Sequence, residues 1–181
     1  EELKELAEKA QIPVITTLLG LGGMPGTHEL NMGMPGMHGM YWNNIGIQEA
    51  DLVIGIGMRL DDRVSGALKD FAPNAKIVHI DIDPAEIGKN VKTMVPIVGD
   101  VKAVLQQLIP QVQPARHDAW RAWFADMRAK HPSIAIPETD KILPQYVIKK
   151  IYELSGPKAY YATGVGQHQM WAAQYFWGDN P

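Results

Sequence analysis

Cysteine is absent from this 181-residue chain, and so are long apolar runs and any strong excess of charge. The lack of cysteine excludes disulfides, thiolate zinc sites and a cysteine nucleophile, and it fits a reducing compartment. No apolar run approaches the roughly 20 residues that span a bilayer, so no membrane segment is predicted. Seventeen Lys and Arg against 20 Asp and Glu leave a net charge of −3, which carries no signature of nucleic-acid binding.

The length lies between one and two average domains, with 181 residues against roughly 150 per domain. The chain begins with a charged, amphipathic stretch over residues 1–10, which has neither a signal-peptide pattern nor an initiator Met. It stops soon after an apolar, helix-like run. These features predict that the sequence is a segment of a longer polypeptide.

Four short apolar runs have the composition of buried parallel strands. They are apolar throughout instead of alternating, which is typical of strands covered on both faces. They occupy residues 13–17, 51–57, 76–81 and 95–98. Helical patterns separate them at residues 45–50, 84–90 and 101–109. Strand, helix and strand at this spacing predict βαβ units, and therefore an α/β fold with a doubly wound parallel sheet.

Residues 18–41 differ from the rest, because they hold seven glycines and five methionines. This composition predicts a long loop with no regular element. Glycine lets a backbone approach a ligand closely, and methionine packs adaptably against irregular surfaces. A functional loop is one interpretation, since loops of this length in compact domains are usually functional or mobile. A disordered connection is the alternative.

A linker and the start of a second structural unit are predicted in the last third of the chain. Residues 117–130 carry aromatic and apolar side chains at helical spacing, which predicts a helix packed on a core. A polar segment with two prolines follows at residues 131–141 and predicts a linker. A second unit then begins, with a helix at 144–154, a strand at 158–163, a glycine turn at 164–166 and a helix from Gln167.

Charged side chains stand at the ends of three successive predicted strands, where open parallel sheets bind their ligands. Arg59 follows one strand and could bind a phosphate through two charge-assisted hydrogen bonds. Asp81 ends the next strand and could accept a hydrogen bond from a ribose hydroxyl, and Asp100 follows the third. One nucleotide lying across these strand ends would explain all three residues together.

The same residues also have purely structural interpretations. Arg59 could pair with neighbouring acids in a solvated turn, and Asp83 and Asp100 could cap the helices predicted after them. The dinucleotide fingerprint Gly-x-Gly-x-x-Gly fails at this strand, because Leu60 occupies the position of its third glycine. A standard NAD site is therefore disfavoured.

The glycine turn at residues 164–166 is a second candidate anion site. Backbone N–H groups at a helix N-terminus, together with the side chains of Gln167 and His168, could bind a diphosphate. The spacing matches neither a P-loop nor a dinucleotide fingerprint, so it is a weak signal by itself. His38 has neither a paired serine nor a metal-type histidine spacing, and the sequence predicts no catalytic residue and no metal ligand in these 181 residues.

Five segments carry a family resemblance that covers essentially the whole chain. They are residues 16–22 (TTLLGLG), 36–39 (GMHG), 50–64 (ADLVIGIGMRLDDRV), 71–73 (FAP) and 164–174 (GVGQHQMWAAQ). In these segments the chain resembles the large catalytic subunits of acetolactate synthases (acetohydroxyacid synthases), which are thiamine diphosphate enzymes. Subunits of that family have three α/β domains: the first carries a catalytic glutamate, the central one holds FAD, and the last binds thiamine diphosphate and Mg²⁺.

The resemblance implies domain limits and site residues. Residues 1–130 would be the central FAD-binding domain, 131–141 the linker, and 142–181 the start of the thiamine diphosphate-binding domain. The implied flavin contacts are Thr17, Leu18, Gly36, Met37, His38, Gly39, Gly57, Arg59, Asp81, Ile82 and Asp100. The implied substrate channel contains Met37, Asp62 and Arg63. The implied thiamine diphosphate contacts are Val165, Gly166, Gln167 and His168.

The resemblance also implies a reaction. Two pyruvates, or pyruvate and 2-ketobutyrate, would condense with loss of CO₂ to 2-acetolactate or 2-aceto-2-hydroxybutyrate, in valine and isoleucine biosynthesis. The Gly-Met-His-Gly and Asp-Asp-Arg segments indicate the FAD-containing, biosynthetic branch. The 181 residues contain neither the glutamate domain nor a Gly-Asp-Gly motif for Mg²⁺, so they are predicted to be inactive alone.

The implied partners are a second copy or three further copies of the full-length subunit, and a regulatory small subunit. No nucleic acid and no membrane are expected. The implied location is the cytoplasm in a bacterium, or a plastid or mitochondrion in a eukaryote. The alternatives are a relative such as glyoxylate carboligase, a self-standing nucleotide-binding module, and a catalytically dead segment kept for subunit contacts.

Overall fold

The computed structural model describes residues 1–156 and 158–178. Within those residues the strands are β1 (Val14–Ile15), β2 (Asn31–Gly33), β3 (Leu52–Ile56), β4 (Lys76–Asp81) and β5 (Val95–Val98). The α-helices there are α1 (Glu2–Ala10), α2 (Tyr41–Glu49), α3 (Asp62–Ser65), α4 (Val101–Leu108), α5 (Asp118–Lys130), α6 (Pro144–Ser155) and α7 (Gln167–Tyr175). None of these described helices has the length and apolar character needed to cross a membrane.

All strand pairs are parallel. β1 pairs with β2, and β3, β4 and β5 form a second sheet in that order. The predicted α/β fold with parallel strands and flanking helices is confirmed, with the pairing divided between two sheets. In the larger sheet Ile56 lies opposite Ile80 and Asp81 lies opposite Val98, so the three strands end side by side.

The helices pack against one another through small apolar contacts. α1 packs against α4 through Leu6, Leu105 and the following Ile109, all of which are buried. α2 packs against α5 where Gly46 faces Phe124: a Cβ on Gly46 would lie 2.7 Å from Cζ of that ring. Glycine at this position therefore allows the two helices to approach closely.

The helix predicted at residues 84–90 is wrong, because the structure has a series of turns there. The carboxylate of Asp83 accepts a hydrogen bond from the Ala85 N–H over 2.9 Å, which closes a local turn and not a helix. Gly88 then adopts a φ of +72°, which interrupts any helical path.

The strand predicted at residues 158–163 is also wrong. Tyr160 in this segment is fully exposed, and no strand among the described residues lies beside it. A strand needs a hydrogen-bonded neighbour, which the apolar pattern alone does not provide. Residue 157 and residues 179–181, which belong to the predicted second unit, lie outside the described residues.

The prediction that residues 18–41 contain no regular element is wrong in part. Leu18–Gly20 form a 3-10 turn and β2 lies in the same segment. Met24, Met32 and Met34 are buried, so these three methionines fill the core beside β1 and β2. The segment is an ordered, packed loop and not a disordered connection.

Candidate functional site

The carboxyl ends of β3, β4 and β5 form one row of polar groups. The N–H of Gly57 donates to the Ile80 carbonyl over 2.8 Å, and the N–H of Gly99 donates to the Asp81 carbonyl over 2.9 Å. Neighbouring strands are about 5 Å apart, so the row from Gly57 through Asp81 to Gly99 spans about 10 Å. Gly57 has a φ of +57° and presents bare backbone at this edge.

Asp81 is the buried acid of the row, with 9% of its surface exposed. Its Oδ1 accepts a hydrogen bond from the N–H of Asp83 over 2.9 Å, which fixes the carboxylate direction. Its Oδ2 accepts no hydrogen bond from the described residues. Asp81 can therefore act as an acceptor for a ligand hydroxyl, beside the 69% exposed Ile82.

Arg59 and its neighbours do form the ion pairs of a solvated turn. Arg59 Nη2 lies 3.5 Å from Asp61 Oδ2, and Arg63 Nη1 lies 3.8 Å from Asp62 Oδ2. Both arginine side chains are more than two thirds exposed, and pairs of this kind contribute about 0–1 kcal/mol. These weak pairs leave both guanidinium groups available to an anionic ligand.

The backbone on both sides of Arg59 is held by side chains from other elements. His79, fully buried in β4, donates from Nε2 to the Met58 carbonyl over 2.8 Å. Asn90 donates from Nδ2 to the Leu60 carbonyl over 2.9 Å. Neither residue is predicted from the sequence to have a role in the site. Together they fix the turn that presents Arg59 at the strand ends.

Asp100 caps a helix, as one of its two interpretations predicted. Its carboxylate accepts a hydrogen bond from the Ala103 N–H over 2.9 Å at the start of α4.

Thr17 and Leu18 lie directly after β1, where the chain enters the 3-10 turn. The neighbouring Thr16 hydroxyl is buried and has no hydrogen-bond partner among the described residues.

The loop at residues 36–39 lies against the Asp62–Arg63 segment. Gly36 has a φ of +93°, and a Cβ on it would lie only 2.2 Å from the Arg63 carbonyl oxygen. Asn44 of α2 clamps the same glycine, with Oδ1 accepting from the Gly36 N–H over 2.8 Å and Nδ2 donating to the Gly36 carbonyl over 3.0 Å. Met37 is 70% exposed above this clamp.

One cavity of about 260 Å³ is lined by Met37, Asp62 and Arg63, the three residues that the family resemblance places in a substrate channel. Ile47 and Phe71 contribute apolar surface to the same cavity. The structure thus brings together three residues from two segments that are 25 positions apart. A cationic guanidinium beside apolar walls suits a small organic acid.

A second cavity, of about 470 Å³, lies between β2 and α5. Both of its arginines have partners within the chain: Arg121 forms an ion pair with Glu29, and Arg128 Nη2 donates to the Asn31 carbonyl over 2.9 Å. Arg128 also lies over the Trp42 ring at 5.4 Å, and burial lowers its pKa below the ordinary value. These contacts join α5 to the core.

The segment at residues 165–168 is exposed and begins α7. Gly166 has a φ of +153°, and its carbonyl accepts from the Gln169 N–H over 3.0 Å as the helix starts. The His168 ring folds over this turn, since a Cβ on Gly166 would lie 3.1 Å from its Cε1. Val165 is 93% exposed. The N-terminus of α7 therefore faces solvent with Gln167 and His168 beside it, as an anion site requires.

The residues present fit the chemistry of two nucleotide-like groups. A cation at Arg59, an acceptor at Asp81 and bare backbone at Gly57 suit the diphosphate, ribose and close approach of a dinucleotide. The exposed N-terminus of α7, with Gln167 beside it, suits a diphosphate. No group of three or more His, Asp or Glu side chains among the described residues converges as a metal site.

Residues 1–108 match the family described as thiamine pyrophosphate enzyme, central domain. The chain belongs to this family. The two parallel sheets with flanking helices agree with that assignment.

The chain is similar over nearly its whole length to acetolactate synthases. It is 49% identical over 100% of its length to "Acetolactate synthase" of Mycobacterium bovis, covering 30% of that protein. It is 47% identical over 97% of its length to "Acetolactate synthase large subunit" of Corynebacterium glutamicum, covering 29%. It is 45% identical over 97% to "Acetolactate synthase 1, chloroplastic" of Nicotiana tabacum, covering 27%. The resemblance to large subunits is confirmed, and the chain spans about 30% of the length of the first of these relatives.

Proposed function

We propose that this chain is the flavin-holding part of an acetolactate synthase large subunit. The complete subunit would condense two pyruvates, or pyruvate and 2-ketobutyrate, with loss of CO₂. The observation that carries the proposal is the cavity shared by Met37, Asp62 and Arg63, because the resemblance assigns these three residues to one channel. Identity of 45 to 49% over nearly all of the chain supports the same conclusion.

FAD would lie across the ends of β3, β4 and β5 and under the 36–39 loop. Arg59 would bind its diphosphate, Asp81 would accept from a ribose hydroxyl, and Gly57 would allow close approach. Thr17, Leu18 and Ile82 would contact it beside these groups, and Gly36, Met37, His38 and Gly39 would cover it. Asp100 would contact FAD with the carboxylate oxygen that does not cap α4. The flavin would have a structural role, since the condensation involves no net redox change.

The 2-keto acid would enter between the 36–39 loop and α3. The Arg63 guanidinium, 74% exposed, would bind its carboxylate, and Met37 would exclude water from the opposite side. Thiamine diphosphate, when bound, supplies the electron sink for decarboxylation. Val165, Gly166, Gln167 and His168 would hold its diphosphate at the N-terminus of α7. Mg²⁺ would accompany that diphosphate, and no residue of this chain is proposed as its ligand.

The proposed domain limits are 1–130 for the flavin domain, 131–141 for the linker and 142–181 for the start of the thiamine domain. The active enzyme would be a homodimer or homotetramer of full-length subunits, with a regulatory small subunit. It would work in branched-chain amino acid biosynthesis as a carboligase of the transferase class, in the bacterial cytoplasm or in a plastid or mitochondrion.

The proposal is tested by titrating the purified chain with FAD and following flavin fluorescence. Saturable binding is expected, and Arg59→Ala should weaken it by about ten- to a hundredfold, the loss of one or two charge-assisted hydrogen bonds. Arg116→Ala, at an exposed arginine far along the chain from the site residues, is the matched control and should bind like wild type. The same sample with thiamine diphosphate, Mg²⁺ and pyruvate should form no acetolactate.

Equal FAD binding by Arg59→Ala and wild type would contradict the strand-end site. Acetolactate formed by the chain alone would contradict the proposal that the reaction also requires the other parts of the full-length subunit. Circular dichroism of each variant shows whether it is folded before its affinity is compared.

A further inference from the structure

The two proposed cofactor segments meet at one hydrogen bond. Gln174, in the last turn of α7, donates from Nε2 to the backbone carbonyl of His38 over 2.9 Å. The donor lies seven residues after Gln167, at the opposite end of the helix from the thiamine diphosphate contacts. A helix rises 1.5 Å per residue, so about 10 Å of rigid helix separates the two.

The 36–39 loop is held in different ways at its base and at its tip. Its base is fixed by the two Asn44 hydrogen bonds and by the Gly39 N–H, which donates to the Gly36 carbonyl over 2.9 Å. Its tip, Met37 and His38, is exposed. Among the described residues outside 34–44, Gln174 is the one whose side chain hydrogen-bonds to this loop.

The carboxyl end of α7 is itself docked on the rest of the chain. Tyr175 donates from its hydroxyl to the Ile134 carbonyl over 3.2 Å, and the Gly26 N–H donates to the Gly178 carbonyl over 2.9 Å. Gly26 has no room for a side chain, because a Cβ there would lie 2.6 Å from the Trp177 carbonyl carbon. The position of Gln174 therefore follows the position of the helix.

We infer that Gln174 is a positioning residue that couples flavin binding to thiamine diphosphate binding. A diphosphate that orders the N-terminus of α7 would also order Gln174, and through it the His38 end of the 36–39 loop. Flavin bound under that loop would stabilise α7 in return, by the same factor, since linkage is reciprocal. This inference rests on the proposed function, because it assumes that both cofactors bind where proposed.

The test measures FAD affinity of the full-length protein with and without thiamine diphosphate and Mg²⁺. In wild type, thiamine diphosphate should tighten FAD binding by about two- to twelvefold, the range that one neutral hydrogen bond can transmit. Gln174→Met keeps the length and helix propensity of the side chain but cannot donate, and should reduce this factor to one. Gln174→Lys keeps a donor and should restore part of it.

Gln107→Met is the matched control, because Gln107 is an exposed glutamine whose amide bonds within its own helix, α4. It should leave the coupling factor unchanged. A second readout is hydrogen exchange without cofactors: amides at residues 37–40 should exchange about two- to twelvefold faster in Gln174→Met than in wild type.

The outcomes distinguish a failure of the inference about Gln174 from a failure of the proposed function. If FAD binds but the coupling factor is one in wild type, or persists in Gln174→Met, the inference is overturned and the flavin site stands. If wild type binds no FAD, the proposed function fails and the inference fails with it. Loss of coupling in Gln174→Met, with retention in Gln107→Met, supports the inference.

Discussion

Replacing Gly36 by alanine should break the contact between the 36–39 loop and the Arg63 segment. Gly36 combines a φ of +93° with a Cβ position only 2.2 Å from the Arg63 carbonyl oxygen. Real Cβ atoms do not approach backbone oxygens within about 3.0 Å, so the loop and the segment must move apart by about 0.8 Å. Both walls of the 260 Å³ cavity are affected, because Gly36 and Arg63 line it together.

The expected cost has two parts. A positive φ costs an alanine about 1–2 kcal/mol, and forcing extra volume into a packed contact costs about 1–3 kcal/mol. Together they should lower the free energy of unfolding by about 2–5 kcal/mol. Gly88→Ala is the matched control: it also has a positive φ, +72°, but no atom lies within 4 Å of its Cβ position. It should cost only the first part.

Urea unfolding followed by tryptophan fluorescence distinguishes the two variants. At a slope of about 2 kcal/mol per molar urea, the additional 1–3 kcal/mol in Gly36→Ala moves the midpoint by about 0.5–1.5 M relative to Gly88→Ala. Equal midpoints for the two variants would refute the argument, since they would show that Arg63 does not limit the space at Gly36.

Substitutions at three further residues test the contacts that support the site. His79→Leu should lower the free energy of unfolding by about 1–3 kcal/mol by leaving the half-buried Met58 carbonyl unpaired, and an unchanged urea midpoint would exclude that role. Asp100→Asn keeps an N-cap acceptor and should unfold like wild type, whereas Asp100→Ala should cost about 1 kcal/mol; equal costs would exclude the cap. Burial raises the pKa of Tyr175 above its ordinary 10.0, so this tyrosine stabilises the fold below pH 10 and that contribution is lost as pH rises through the folded-state pKa. Tyr175→Phe should therefore lose less stability than wild type between pH 9 and 11, and parallel pH profiles would contradict this.

The sequence predicted the larger sheet because its strands are short, continuous apolar runs. Residues 51–57, 76–81 and 95–98 contain β3, β4 and β5, and the helix prediction at 101–109 contains α4. The sequence patterns predicted the wrong structure where a local hydrogen bond, or the lack of a neighbouring strand, determined the conformation. Asp83 closes a turn in place of a helix at 84–90, and an apolar pattern at 158–163 has no strand to pair with.

Part of the candidate site could be predicted from the sequence, and part of it could not. Arg59 and Asp81 could be predicted because the carboxyl ends of parallel strands are where such sheets bind ligands. The groups that hold them could not, since His79, Asn90 and Asn44 act through contacts of 8 to 30 residues that only the fold creates. Asn44 left one signal: asparagine inside a helix is unfavourable unless its side chain bonds to nearby backbone.

Hydrogen exchange of the chain with and without FAD tests whether the flavin lies across the ends of β3, β4 and β5. FAD is expected to protect amides at residues 36–39, 57–59, 81–83 and 99–100. It should leave unchanged the amides around the 470 Å³ cavity between β2 and α5. Protection confined to α5 and β2, or to none of the strand ends, would contradict a flavin site across β3, β4 and β5.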